Sequence, residues 1–156
     1  MKKPTAVKSL DVPLRAKPSI YPEPFCSMMV GREKRQLGEI FGLKNFGVNI
    51  TRMKPNAQSS LMHKHAKQDE FIFILEGEPT LITEDDEMQL SPGMCAGFAA
   101  GGLAHQLVNR TDKDVLYIEV GDRTANDEVT YPCDDIKGTL DQNGQWVFTR
   151  KDGSSY

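Results

Sequence analysis

From Phe46 onward the chain alternates between short apolar or alternating runs and clusters of turn-forming residues. The runs cover residues 46–53, 59–65, 70–76, 79–83, 87–90, 94–99, 104–109 and 115–120. Between them fall breakers such as Pro55-Asn56, Glu76-Gly77, Glu84-Asp85-Asp86, Ser91-Pro92-Gly93, Gly101-Gly102 and Thr111-Asp112-Lys113-Asp114. Many short strands at close, even spacing, with no helical segment between them, predict an all-β antiparallel sandwich or barrel. Periodicity alone would also suit a buried helix at residues 70–76; short length and β-rich residues decide for a strand.

The flanks read differently. Five of the nine prolines (Pro4, Pro13, Pro18, Pro22 and Pro24) fall in the first 24 residues. Proline fixes φ and lacks a backbone donor, so this arm is expected to be extended, either disordered or laid along a barrel edge or a partner subunit. Residues 31–44 are charged, with Leu37, Ile40, Phe41 and Leu43 spaced for one short helix that Gly38 and Gly42 weaken. After residue 121 the chain is polar and loop-like until Gln145-Trp146-Val147-Phe148-Thr149, the expected last strand. The division is thus an N-terminal arm with a short helical segment (1–45), a barrel core (46–121) and a C-terminal extension packing on it (122–156).

Composition narrows the class. A chain of 156 residues with 38% hydrophobic positions is sized for one domain with a real core. The net charge of −3 gives no basic field for nucleic acid or an anionic membrane. The run Phe71-Ile72-Phe73-Ile74-Leu75 is too short to span a bilayer. The basic start Met1-Lys2-Lys3 is followed by Pro4, Lys8, Asp11 and Pro13, so no signal peptide is read there. Three widely spaced cysteines, Cys26, Cys95 and Cys133, argue against a disulfide framework and for a reducing compartment. The expectation is a cytoplasmic, soluble protein.

Three histidines are present, and all lie in the strand region: His63, His65 and His105. Spaced i, i+2 on a strand, His63 and His65 point the same way. Glu70 opens the most apolar strand after an Ala-Lys-Gln-Asp turn, and His105 starts another strand after Gly101-Gly102. Neutral imidazoles suit Zn, Ni, Fe or Cu, and one carboxylate adds an oxygen that also suits Mn or Fe. Ligands from neighbouring strands can converge inside a barrel and leave coordination positions open, as in catalytic sites. The competing reading is a surface His-x-His pair and a solvated Glu70.

The segment HKHAKQDEFIFILEGE, with His63, His65, Glu70 and Gly77, resembles the first motif of the cupin superfamily. His105-Gln106-Leu107-Val108-Asn109, preceded by Pro92-Gly93 and Gly101-Gly102, is similar to the second. The resemblance covers about residues 46–121. Ala57 stands where the first motif has a glycine, with Asn56 beside it able to supply a left-handed turn. Ala100 replaces a proline of the second motif, and Gly93 sits one residue off the usual spacing. The resemblance implies a double-stranded β-helix, the jelly-roll or cupin barrel. It also implies one divalent transition metal per chain (Zn, Ni, Mn or Fe) held by His63, His65, Glu70 and His105, and a homodimer formed by sheet edges. The stretches GFAAGGLAHQLVNRT, YIEVGDRT and FTRKDGSSY resemble small single-domain bacterial cupins, some of them labelled sugar-phosphate isomerases. That label rests on fold analogy.

Other residues are weighed singly. Glu119 is a charge within the apolar run Val115–Val120; it faces either solvent or a polar pocket, where it could act as general base or hold a substrate hydroxyl. Arg52 either reaches an anionic substrate or snorkels outward. Asn109 reads as a turn former before the Arg110–Asp114 loop. Cys95 reads as an inert core residue. Trp146 and Phe148 read as packing. No phosphate-binding glycine loop, serine elbow or Cys-x-x-Cys motif is present. The first functional expectation is a Lewis-acid metalloenzyme of isomerase or epimerase type, stabilising an enediolate of a small polar substrate that is sugar-like and optionally phosphorylated. The alternatives are an Fe- or Mn-dependent dioxygenase or oxidase, and a non-catalytic cupin that binds a small molecule or metal. The absence of a helix-turn-helix pattern disfavours a DNA-binding regulator.

Overall fold

The computed structural model describes residues 3–17 and 19–156. Met1, Lys2 and Pro18, which belong to the expected basic start and Pro-rich arm, lie outside the described residues. Twelve strands run in chain order: β1 (Arg32–Gln36), β2 (Phe46–Met53), β3 (Lys64–His65), β4 (Glu70–Glu76), β5 (Thr80–Thr83), β6 (Glu87–Gln89), β7 (Cys95–Phe98), β8 (His105–Val108), β9 (Val115–Asp122), β10 (Glu128–Thr130), β11 (Lys137–Leu140) and β12 (Trp146–Thr149). One five-residue helix, α1 (Leu37–Phe41), follows β1 and ends at Gly42 in the left-handed region. No described helix is long and apolar enough to cross a membrane.

The strands form two facing antiparallel sheets, the arrangement of a jelly roll. The first runs β1-β2-β9-β4-β7. The second joins β12-β11-β10-β3 to β8-β5-β6 through bridges at Gln58–Val108 and His63–His105. Residues directly opposite in an antiparallel ladder share a face, so pairing reads out what the first sheet turns inward. One inward row is Arg32, Met53 and Val115; the next is Lys34, Thr51, Tyr117 and Ile74; then come Gln36, Asn49, Glu119, Ile72 and Ala96. Glu70 stands opposite Gly121 and Phe98 at the end of the stack. Apolar members of these rows meet Leu81, Leu90 and Leu107 of the other half in the main core. One end of the interior is therefore dry and the other polar.

A second core lies between the flanks. Phe25 and Met29 of the arm pack with Leu61, Val129, Tyr131 and Ile136, flanked by Tyr21, Trp146 and Phe148. Burying Phe25 and Met29 contributes roughly 3–6 kcal/mol toward holding the arm down. The arm also lies along the edge of its own sheet, where Arg15 N donates to Lys34 O at 2.8 Å.

Three expectations need correction. Residues 31–44 are not merely one short helix: charged β1 precedes it, stabilised by pairing with β2 rather than by any alternation of its own. The C-terminal third is not loop-like before Gln145, since β10 and β11 extend the second sheet with three and four residues. Cys95 lies on β7 but is exposed, because it pairs with outward-facing Phe73. All three cysteines are unpaired.

The closing glycine of the first motif has two physical reasons. Gly77 has φ +78°, and a Cβ there would stand 2.5 Å from Asp114 O. Asn56 takes φ 64° and supplies the left-handed turn beside Ala57.

Candidate metal centre

His63 and His105 face each other across an antiparallel bridge in which each backbone N–H donates to the other's carbonyl, at 3.2 and 2.8 Å. This sets the two rings side by side, centroids 4.6 Å apart. His65, two residues on, is carried by the pairing of β3 with β10, where it lies opposite Val129. Glu70 comes from the facing sheet. The three Nε2 atoms converge on one carboxylate oxygen: Glu70 Oε2 lies 3.2 Å from His63, 3.5 Å from His65 and 3.0 Å from His105. His63, Glu70 and His105 form the tightest group among the described residues, with one ligand atom from each within 4.8 Å of the others. His65 sits slightly outside that group and closes it from the β10 side.

Contacts behind the rings fix their orientation. His63 Nδ1 lies 2.9 Å from Leu61 O, which can only accept, so in the neutral ring that nitrogen carries the proton and Nε2 is left with its lone pair, while the protonated ring also donates from Nε2 to Glu70. His65 Nδ1 lies 2.5 Å from Asp127 Oδ2, and Asp127 Oδ1 accepts from Lys67 N at 2.7 Å. Phe98 stacks on His105 at 3.5 Å between centroids, and Tyr131 and Trp146 flank His63 and His65. Imidazole lone pairs aimed at an anionic oxygen repel it unless protons or a cation lie between. The donor set therefore fits a divalent transition metal, which His63, Glu70 and His105 could hold, with His65 close enough to join them.

The titration behaviour follows from the same geometry. Burial would raise the Glu70 carboxyl, but hydrogen bonds from His105 and His63 and the nearby histidine charges hold it well below the usual carboxylate range. Burial pushes His63 down, but Glu70 outweighs it and the net shift is upward. His105 is lowered, by burial first and by neighbouring His63, with Glu70 opposing. Such opposed shifts mark groups held close together.

The donors open onto a cavity of about 1000 Å³. Glu119 lines it. Burial opposes its charge, yet the Lys34 ammonium, with Arg32 behind it, keeps the carboxyl below its ordinary value. Lys34 forms an ion pair with Glu119 Oε1, Asn49 Nδ2 donates to the same oxygen at 2.9 Å, and Tyr117 OH donates to Oε2 at 3.2 Å. Arg52 turns away from the cavity onto Asp114, 3.3 Å distant. Asn109 is a buried turn former: its amide donates to Met53 O and Lys113 O while its oxygen accepts from Thr111. Trp146 and Phe148 pack as expected and also line the cavity.

Several cavity residues carried no readable signal in the sequence. The cavity residues Tyr21, Tyr131, Arg15, Arg32 and Lys34, and Asp127 behind His65, belong to the flanks, outside the motif spacing. The one hint was Glu119, a charge within an apolar run, whose face and cation partner the sequence could not name.

Comparison with known proteins agrees with this geometry. A family model described as Cupin domain matches residues 49–121. A sugar phosphate isomerase of the cupin superfamily from Silicibacter pomeroyi is 39% identical, with a TM-score of 0.89 over 97% of this chain and 96% of that chain. A candidate sugar phosphate isomerase from Acidithiobacillus ferrooxidans is 26% identical, with a TM-score of 0.72 over 80% of each chain. The polyketide cyclase RemF from Streptomyces resistomycificus, 22% identical with a TM-score of 0.62 over 78% of this chain and 80% of that one, shares the fold. No curated protein sequence matches. With its two facing sheets, its His-x-His and Glu on opposite walls and a relative matched over nearly its full length, the chain belongs to the cupin superfamily.

Proposed function

We propose that this chain is a metal-dependent enzyme of isomerase or epimerase type, acting on a small polar, sugar-like substrate. The observation that carries the reading is the convergence of three histidine Nε2 atoms on Glu70 Oε2 at the wall of a roomy cavity. His63, His65, Glu70 and His105 would hold one divalent ion, Zn, Ni, Mn or Fe, which would supply Lewis-acid polarisation of the substrate. The rest falls to the protein's own side chains. Glu119, kept ionised by Lys34, accepts a substrate hydroxyl or takes the proton next to a substrate carbonyl. Asn49 and Tyr117 fix the direction of that carboxylate. Phe98, Tyr131 and Trp146 shield the histidines from bulk water. The sugar phosphate isomerase from Silicibacter pomeroyi supports the substrate class, through 39% identity. The same reading takes the working unit as a cytoplasmic homodimer with no nucleic-acid partner.

Elemental analysis of untagged protein, beside a His63→Ala/His65→Ala variant, is the first test. Near one transition metal per chain in the wild type and none in the variant is expected. Sugar phosphates incubated with the loaded protein in D2O should then exchange the hydrogen next to the carbonyl, and Glu119→Gln should slow the exchange at least a hundredfold while keeping the metal. Negligible metal, with no uptake of added Zn, Ni, Mn or anaerobic Fe(II), would sink the reading. Oxygen uptake without exchange would replace it with the oxidase alternative.

A further inference from the structure

The cavity wall opposite the second sheet carries a concentration of positive charge that the metal centre does not use. Arg32 and Lys34 alternate on the inward face of β1, while Glu33 between them points outward and pairs with Lys54 at 2.8 Å. The arm adds Arg15, tied to β1 by the bond from its N–H to Lys34 O at 2.8 Å. All three line the cavity, and Arg32 is only 9% exposed. Their charges bear on one another: Arg32 depresses both Arg15 and Lys34, after burial itself.

Among the described lining residues, the inner carboxylate near these three cations is Glu119, since Glu70 faces the histidines. The other acidic groups of the cavity are engaged at its rim. Glu39 pairs with Arg123, Asp122 accepts from Asp69 N and Thr124 N, and Asp141 accepts from Asn143 N and Gln145 N. Three cations set against one carboxylate give this wall a net positive charge, and such a field attracts an anion. The position is also useful. Arg32 donates to Ser59 O, the neighbouring Ser60 Oγ lies 3.2 Å from His63 Nδ1, and Arg32 and the metal donors border the same cavity.

We propose that Arg15, Arg32 and Lys34 form an anion subsite that takes the phosphate group of the substrate and presents the adjoining carbons to the His63/His65/Glu70/His105 centre. This rests on the cavity being the substrate site, as proposed above. Guanidinium groups bind phosphate oxygens in paired, directional hydrogen bonds, and an ammonium adds a point charge. A phosphate monoester carries close to two negative charges at neutral pH, which matches the excess of cations over Glu119. Because Arg15 arrives on the Pro-rich arm, the arm becomes part of substrate recognition.

The test uses the full chain, stripped with chelator so that phosphate cannot bind a metal, and titrated with inorganic phosphate by calorimetry at constant ionic strength. Saturable binding to the wild type is expected, weakened at least tenfold in Arg15→Gln and in Lys34→Gln, with acetate binding far more weakly. No saturable binding, equal binding by Arg15→Gln, or acetate as strong as phosphate would overturn the subsite. Lys34→Gln leaves Glu119 without its cation and is open to misfolding. Arg15→Gln, which changes a half-buried side chain of the arm and leaves Glu119 its Lys34 partner, decides if the lysine variant unfolds. Metal content of Arg15→Gln is measured in parallel and should match the wild type. Phosphate binding lost with metal intact in that variant supports the subsite. Phosphate binding in a wild type that takes up no metal keeps the subsite and removes the metalloenzyme.

Discussion

Asp127→Asn isolates the way this fold prepares a histidine for metal. Asp127 is 1% exposed and accepts twice, from Lys67 N at 2.7 Å and from His65 Nδ1 at 2.5 Å. An amide of the same shape has one accepting oxygen and one donating nitrogen. Lys67 N–H can only donate, so it claims the oxygen, and the amide nitrogen then faces His65 Nδ1. That contact is favourable only if Nδ1 gives up its hydrogen, which moves the proton to Nε2, the atom 3.5 Å from Glu70 Oε2. His65 would then present N–H where a lone pair is needed. Loss of such an outer partner weakens metal binding about 10- to 100-fold, or about 1.4–2.8 kcal/mol. The other amide orientation keeps the tautomer but strands a backbone donor, costing about 1–3 kcal/mol of stability. Competition against a coloured chelator on stripped protein gives the affinity, and thermal unfolding gives the stability. A variant that loses several degrees in Tm yet binds metal within threefold of wild type would refute the argument, leaving Asp127 as a loop anchor alone.

Two further outcomes test the framework around the site. Gly77→Ala combines a left-handed φ of +78° with a Cβ 2.5 Å from Asp114 O, for a cost of about 3 kcal/mol and a Tm drop of roughly 6–12 °C in a domain this size; a drop under 2 °C would contradict it. Acid stability should track Glu70 and Glu119, both depressed in the folded state, the first by the histidines and the second by Lys34, in each case against burial. A depressed carboxylate contributes stability that is complete above its unfolded value near pH 4.3 and is lost as pH falls through the folded value. Urea midpoints of chelated protein should therefore fall as the pH drops below about 4.3, with a shallower slope in Glu119→Gln; parallel slopes would show that Glu119 is not coupled to folding.

The legible part of this protein is the part governed by local rules. Residues 46–120 alternate and break so regularly that each expected run appears as a strand or a bridged segment. His63 and His65 had to share a face because the strand repeat is two. Gly77 and Asn56 declared left-handed turns through their own chemistry. Asn109 announced a turn in the same way. Those readings need only the backbone's preferences and the spacing of side chains.

What stayed hidden depended on partners far along the chain. β1, β10 and β11 are short and polar, and each is a strand because a neighbour offers its open edge, which nothing in its own sequence records. Glu119 could not be placed on either face of the sheet from its own neighbours; register with Asn49 and the pairing with Lys34 turned it inward. Asp127 meets His65 across 62 residues, and Arg15 reaches the cavity because Phe25 and Met29 anchor the arm in the second core. Strand rhythm, donor types and their spacing could be read along the chain, since these are local properties of residues. Which face each charge takes, and which distant groups orient the histidines, follow instead from sheet register and shared burial between segments that no local pattern connects.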